Sequence, residues 1–163
     1  GRGRGAERLA GALMLRAVCL GAAAALMLSP GPSPAGPDSD PAALAQPTAA
    51  RISAEAAYRG AMAGDLVLVD VRDPAMWAKD GVPEGAFPLD WNDPTFFDQI
   101  DLLADGDKSA AIALICNRGV RTSTAARALA ERGYSRVFDV HEGLKGSSSG
   151  PGWMAAGLPM EAY

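Results

Sequence analysis

Two short apolar runs, LVLVDV (Leu66 to Val71) and AAIALIC (Ala110 to Cys116), constrain the fold more than any other feature of the chain. Neither alternates strictly between polar and apolar positions, so each predicts a strand covered on both faces. Such strands need helices above and below, and the sequence between them supplies helix signals. RISAEAAYRGAMAG predicts a helix capped by Ser53 and closed by Gly64; DPAMWAKDG predicts one with Asp73 as N-cap and Pro74 in its first turn. DPTFFDQIDLLADG repeats the Asp-Pro start and spaces Phe96, Phe97, Ile100 and Leu103 helically. TSTAARALAERG predicts a helix ending at Gly133, RVFDV a further strand, and PGWMAAGLP a short helix stopped at Gly157. GAFPLDW is a weaker strand, placed at an edge or a strand end because Pro88 has no N–H to donate. Strands alternating with helices give an α/β fold: an open, mostly parallel sheet flanked by helices and joined by right-handed crossovers. Ligands of such sheets bind outside the carboxyl ends of the strands, which is where Cys116 falls.

The organisation of the rest comes from charge and composition. Arg2, Arg4 and Arg8 precede the apolar stretch AVCLGAAAALML (Ala17 to Leu28), so residues 1–28 read as an export signal. The alternatives are an N-terminal anchor, which would hold Arg16 near mid-bilayer at a cost of roughly 2.5–3.5 kcal/mol, and a buried helix. Residues 29–48 are a Pro/Ala-rich linker, and residues 49–163 form the folded domain. The expected location is therefore exported and periplasmic, with a membrane partner only if the leader stays uncleaved. A net charge of −4 gives no electrostatic case for nucleic acid as a partner.

Cys19 belongs to the leader, which leaves Cys116 as the lone thiol of the mature domain. An unpaired thiol in an exported protein is reactive or intermolecular, unless it is buried and behaves as a small hydrophobe. The residues after Cys116 favour chemistry. Asn117, Arg118, Gly119, Val120 and Arg121 connect the strand to the next helix, whose first turn contains Thr122, Ser123 and Thr124. A helix N-terminus carries unpaired N–H groups and about half a positive charge, and successive loop amides form a concave nest for an anion. Gly119 permits the positive φ that such a nest needs, and Arg121 adds a bidentate oxyanion contact. The same dipoles that hold a bound anion favour a thiolate over a thiol.

This loop, CNRGVR, resembles that of the rhodanese-homology family, in which a cysteine is followed by a tight loop ending in arginine. LVDVRDPAMW is similar to that family's Asp-Val-Arg strand end, GVPEGAFPLDW to its second marker, and GPGWMAAGLPM to its closing Trp-x3-Gly-Leu-Pro segment. Val82 and Glu84 depart from the marker, which usually has histidine and proline there. HEGLKGSSSGPGW departs from the usual paired glycines and carries a Ser/Gly insertion. The resemblance implies a rhodanese-like fold and a sulfurtransferase that moves sulfane sulfur from a thiosulfate-like donor to a thiophilic acceptor. Cys116 would carry the sulfur as a persulfide, with Asn117, Arg118, Gly119, Val120 and Arg121 binding the substrate. The implied partners are a small sulfur-containing anion as donor and cyanide or a thiol, including that of a redox protein, as acceptor. No cofactor is implied. Two alternatives stand beside it: a persulfide carrier or interaction module without turnover, and a cysteine phosphatase or arsenate reductase. Phosphatase loops normally place one more residue between Cys and Arg than the four here, Asn117 to Val120.

Other residues invite blander readings. Asp70 and Arg72 are expected to make structural contacts at a strand end, and Trp77, Trp91 and Trp153 to pack in the core or at its rim. His141, the only histidine, lies after a different strand from Cys116, so a Cys–His pair has little support. One His and one mature-domain Cys fall short of a metal ligand set.

Overall fold

The structure, a computed structural model, describes residues 49–163. The predicted leader and the predicted linker both lie outside the described residues. Among the described residues, seven strands and five helices follow in the order β1 (Ala50–Ile52), α1 (Ala54–Ala63), β2 (Val67–Asp70), α2 (Pro74–Asp80), β3 (Val82–Pro83), β4 (Ala86–Pro88), α3 (Phe96–Leu103), β5 (Ala111–Ile115), α4 (Val120–Glu131), β6 (Arg136–Val140), α5 (Gly152–Ala155) and β7 (Met160–Glu161). The main sheet has the order β1-β6-β5-β2-β4, and every pairing in it is parallel. β3 and β7 form a separate antiparallel pair.

The apolar runs become the centre of that sheet. All of β5 is buried, and Leu68, Val69 and Asp70 of β2 are buried beside it. Successive strand residues point to opposite faces, which divides the interior into two cores. Val69, Ile112 and Leu114 pack with Phe96, Ile100, Ala125 and Leu129 beneath α3 and α4. Leu68, Ala113 and Ile115 pack with Ala54, Ala57, Trp77 and Trp153 beneath α1, α2 and α5. Burial of each large aliphatic side chain contributes about 1.5–3 kcal/mol. By the same alternation Cys116, the residue after β5, joins the first core, on the α4 side of the sheet.

The helix ends obey their caps. Ser53 Oγ accepts from Ala56 N at 3.2 Å, and Gly64 closes α1 in the left-handed conformation, φ 75°. Asp73 Oδ1 accepts from Met76 N at 3.0 Å, with Pro74 at the first helical position. Two starts differ from expectation. α3 begins at Phe96 rather than at the Asp-Pro step, because the Asp93 carboxylate turns onto Thr95, whose N and Oγ1 donate to it at 2.8 and 2.7 Å. α4 begins at Val120, so Val120 and Arg121 belong to the first helical turn and not to the connecting loop. Pro88 does end the edge strand β4.

One ion network fastens the carboxyl end of β2. The Arg72 guanidinium, fully buried, donates through Nε to both Asp70 oxygens at 2.9 and 3.0 Å and through Nη2 to Oδ2 at 2.7 Å and to Gly81 O at 2.6 Å. Burial pushes the Asp70 carboxyl up, and the Arg72 guanidinium works against that rise. Arg72 Nη1 also lies 3.6 Å from Asp80 Oδ2, which Lys145 Nζ meets at 2.8 Å. Among the described residues no helix is long and apolar enough to cross a membrane, and no cluster of three His, Cys, Asp or Glu side chains could hold a metal ion.

Candidate active site

Cys116 stands where the topology predicts a site, at the carboxyl end of β5 between the strand and α4. It is a free cysteine and only 2 % exposed. The thiol is therefore almost closed off from solvent. Backbone contacts fix the position of its loop. Leu144 N donates to Cys116 O at 2.9 Å and Lys145 N to Asn117 O at 3.0 Å, so the segment after β6 runs alongside the loop as a splint. Gly143 makes that approach possible. Its φ is +69°, and a Cβ there would sit 2.5 Å from Asn117 O and 2.7 Å from Arg118 N. Gly119, φ +77°, is the N-cap of α4 and passes His141 O as closely, at 2.4 Å from where a Cβ would stand.

The carbonyls of Cys116 and Asn117 thus have partners, whereas the amides that follow have none among the described residues. The backbone N–H groups of Asn117, Arg118, Gly119, Val120 and Arg121 donate to no acceptor among the described residues. The last two open a helix of three turns, whose dipole adds to theirs. Side chains stiffen the turn from the other direction. Thr122 Oγ1 donates to Gly119 O at 2.8 Å, while Ser123 Oγ lies 3.2 Å from the same oxygen and 3.3 Å from Asp139 Oδ2. Five buried side-chain atoms lack a hydrogen-bond partner among the described residues: Asn117 Oδ1, Asp139 Oδ1 and His141 Nδ1, and also Arg72 Nη1 just after β2 and Trp77 Nε1 on α2. Native proteins pair such groups almost everywhere, so each is a place where a water or a bound group could be accommodated.

The predicted ligand residues separate in the structure. Arg118 is exposed and forms no ion pair or side-chain hydrogen bond among the described residues. Val120 is 77 % exposed at the mouth of the loop. The Arg121 guanidinium lies over the first turn of α2, with Nη1 3.8 Å from Asp73 Oδ2 and 4.0 Å from Met76 Sδ. Asn117 Nδ2 donates to the same thioether at 3.5 Å. Met76 therefore borders the loop opposite α4, although nothing in its sequence position, one turn past a helix cap, signals this. Lys145 is equally hidden in the sequence: its backbone holds Asn117 and its ammonium holds Asp80. Among the described residues His141 forms no side-chain hydrogen bond with Cys116; its carbonyl accepts from Ser147 Oγ at 3.0 Å. The Ser/Gly insertion is braced by Glu142, whose buried carboxylate accepts from Gly152 N at 3.3 Å. A cavity of about 410 Å³ lined by Ala50, Ala130, Tyr134 and Val137 sits at the amino end of β6, on the edge of the sheet remote from Cys116.

The Asp80–Lys145 pair ties the splint to α2, and its response to acid is fixed in sign. The Lys145 ammonium holds the Asp80 carboxyl below the usual carboxylate range. A carboxyl depressed in the folded state contributes stability above its unfolded value, about 4, and loses it as pH falls through the folded value. Thermal melts between about pH 5 and pH 2.5 should show wild-type stability falling with acid, and a shallower fall for Lys145→Met. Parallel curves for the two proteins would remove this pair from the account.

Comparison with known proteins adds the family. Residues 53–149 match the family described as Rhodanese-like domain. The thiosulfate sulfurtransferase GlpE of Glaesserella parasuis serovar 5 is 32 % identical over 97 residues, spanning 60 % of this chain and 79 % of that protein. Among solved structures, Rv0390 from M. tuberculosis superposes with a TM-score of 0.55 at 27 % identity, covering 71 % of this chain and 99 % of that one. A rhodanese-like domain from Anabaena sp. superposes with a TM-score of 0.54 at 25 % identity, covering 69 % of this chain and 79 % of that one.

Proposed function

The chain belongs to the rhodanese-like domain family, and on that premise we propose that it transfers sulfane sulfur through a persulfide on Cys116. The observation that carries the reading is the run of five unpartnered amides, Asn117 to Arg121, directly after a lone cysteine at a strand end. Such a run, continued into the N-terminus of α4, suits an anion.

The reaction balances without a cofactor. The Cys116 thiolate attacks the outer sulfur of thiosulfate; the new S–S bond forms as the old one breaks, and sulfite leaves with the electron pair. The persulfide then sits over the amide row and the amino end of α4, which stabilise its terminal charge. Cyanide or a thiolate attacks the outer sulfur, taking it as thiocyanate or a persulfide and returning the Cys116 thiolate. Low exposure of Cys116 suits an acceptor that brings its nucleophilic atom in on a slim approach, as cyanide does. It also suits a second reading, a carrier that exchanges sulfur only with a docked partner and turns over slowly with free cyanide. Export of the domain to the periplasm is part of the proposal on the strength of residues 1–28 alone.

Initial rates with thiosulfate and cyanide test this. Double displacement gives parallel lines in reciprocal plots at several fixed cyanide concentrations, and an aryl phosphate gives no turnover. Converging lines would point to a ternary complex and against a covalent intermediate. Turnover of the aryl phosphate would favour the phosphatase reading instead.

A further inference from the structure

Arg121 is the guanidinium best placed to meet an anionic donor, and in the structure it is already engaged. Its Nη1 lies 3.8 Å from Asp73 Oδ2 and 4.0 Å from Met76 Sδ, on the first turn of α2. The two partners differ in freedom. Asp73 is fixed, because its Oδ1 caps α2 by accepting from Met76 N at 3.0 Å. Arg121 has a long flexible stem, and the pair is open to solvent, with side chains 39 % and 32 % exposed. A long, exposed ion pair is weak, of the order at which a second anion competes for the cation. An incoming dianion must therefore draw Arg121 from Asp73 and then remain near a carboxylate that cannot swing away.

Resting on the sulfur-transfer reading, we infer that Asp73 is a specificity-determining residue that sets the donor charge the site accepts, by holding Arg121 on α2 and opposing anions that approach it. Met76 completes this wall. Its thioether, within reach of both Asn117 Nδ2 and Arg121 Nη1, offers a soft, uncharged surface beside the loop. The combination disfavours a doubly charged donor relative to a singly charged one of similar size. Methanethiosulfonate is such a donor: it delivers the same outer sulfur and releases methanesulfinate where thiosulfate releases sulfite.

The test is Asp73→Asn. Asparagine caps a helix about as well as aspartate, so the first turn of α2 keeps its hydrogen bond while the charge is lost. Cyanide-dependent turnover is measured for the wild type and the variant with thiosulfate and with methanethiosulfonate. The expected result is a fall in KM for thiosulfate of about fivefold, a fall of about twofold or less for methanethiosulfonate, and little change in kcat for either. The effect should shrink as salt is raised. The ratio of the two KM values in one preparation does not depend on the folded fraction, so loss of folded protein alone leaves it unmoved. Wild-type protein that turns over thiosulfate, combined with an unchanged KM ratio in Asp73→Asn, overturns this inference alone. Wild-type protein that neither turns over nor acquires sulfur from either donor overturns the sulfur-transfer reading, and this inference with it.

Discussion

Replacing Cys116 by serine is expected to lower thiosulfate–cyanide turnover by about three orders of magnitude or more, the usual scale for removing a nucleophile that forms the covalent intermediate. The hydroxyl of serine is close in size to the thiol, and the site is already tight, with Cys116 2 % exposed and packed against Leu114 and Ala125 in one core. The fold should survive. The groups that hold the loop are backbone ones, Leu144 N on the residue 116 carbonyl and Lys145 N on Asn117 O, and neither depends on the side chain. Loss of activity in a protein with near wild-type denaturant stability would separate chemistry from structure. Retained turnover in Cys116→Ser would move the reaction elsewhere in the molecule.

Asp70→Ala should have the largest effect on stability, roughly 3–5 kcal/mol in urea unfolding, because it leaves the Arg72 guanidinium buried without its main counter-charge. Both side chains are fully buried, and three nitrogen–oxygen contacts of 3.0 Å or less join them. The pair is costly to break and need not be stabilising in itself. Replacing both residues by apolar ones of similar volume, Asp70→Leu with Arg72→Met, should recover much of the loss. The double variant also separates fold from site. Without the Arg72 contact to Asp80, the Asp80–Lys145 link to the cysteine loop rests on one ion pair. Stability regained with slower sulfur transfer would give Arg72 a positioning role; full recovery of both would confine it to packing.

The centre of the fold is legible in the sequence because burial on both faces leaves a plain mark. LVLVDV and AAIALIC have the composition of inner strands of an α/β sheet, and their order places Cys116 at the carboxyl edge. Caps are equally readable where the side chain has one use, as with Ser53 and Asp73. Reading fails where a residue has two. Asp93 looks like the cap of α3 but spends its carboxylate on Thr95, so the helix starts later. β1, β3 and β7, of two or three residues each, are too short to show any period and are made by their partners. The site is legible as a segment, Cys116 to Arg121, since one helix N-terminus and one glycine define it. Its far wall is not. Met76, Asp80 and Lys145 reach the loop across long stretches of chain, and only the packing of α2 and the β6–α5 connection brings them there. The same packing turns Arg121 toward Asp73, which the loop sequence alone does not reveal.

Whether Cys116 accepts sulfur is read most directly from the intact mass of the reduced protein after incubation with thiosulfate, combined with peptide mapping. The expected result is a gain of one sulfur atom located on the peptide containing Cys116, and its removal when cyanide is added. An unmodified mass, or sulfur found on any other residue, would contradict it.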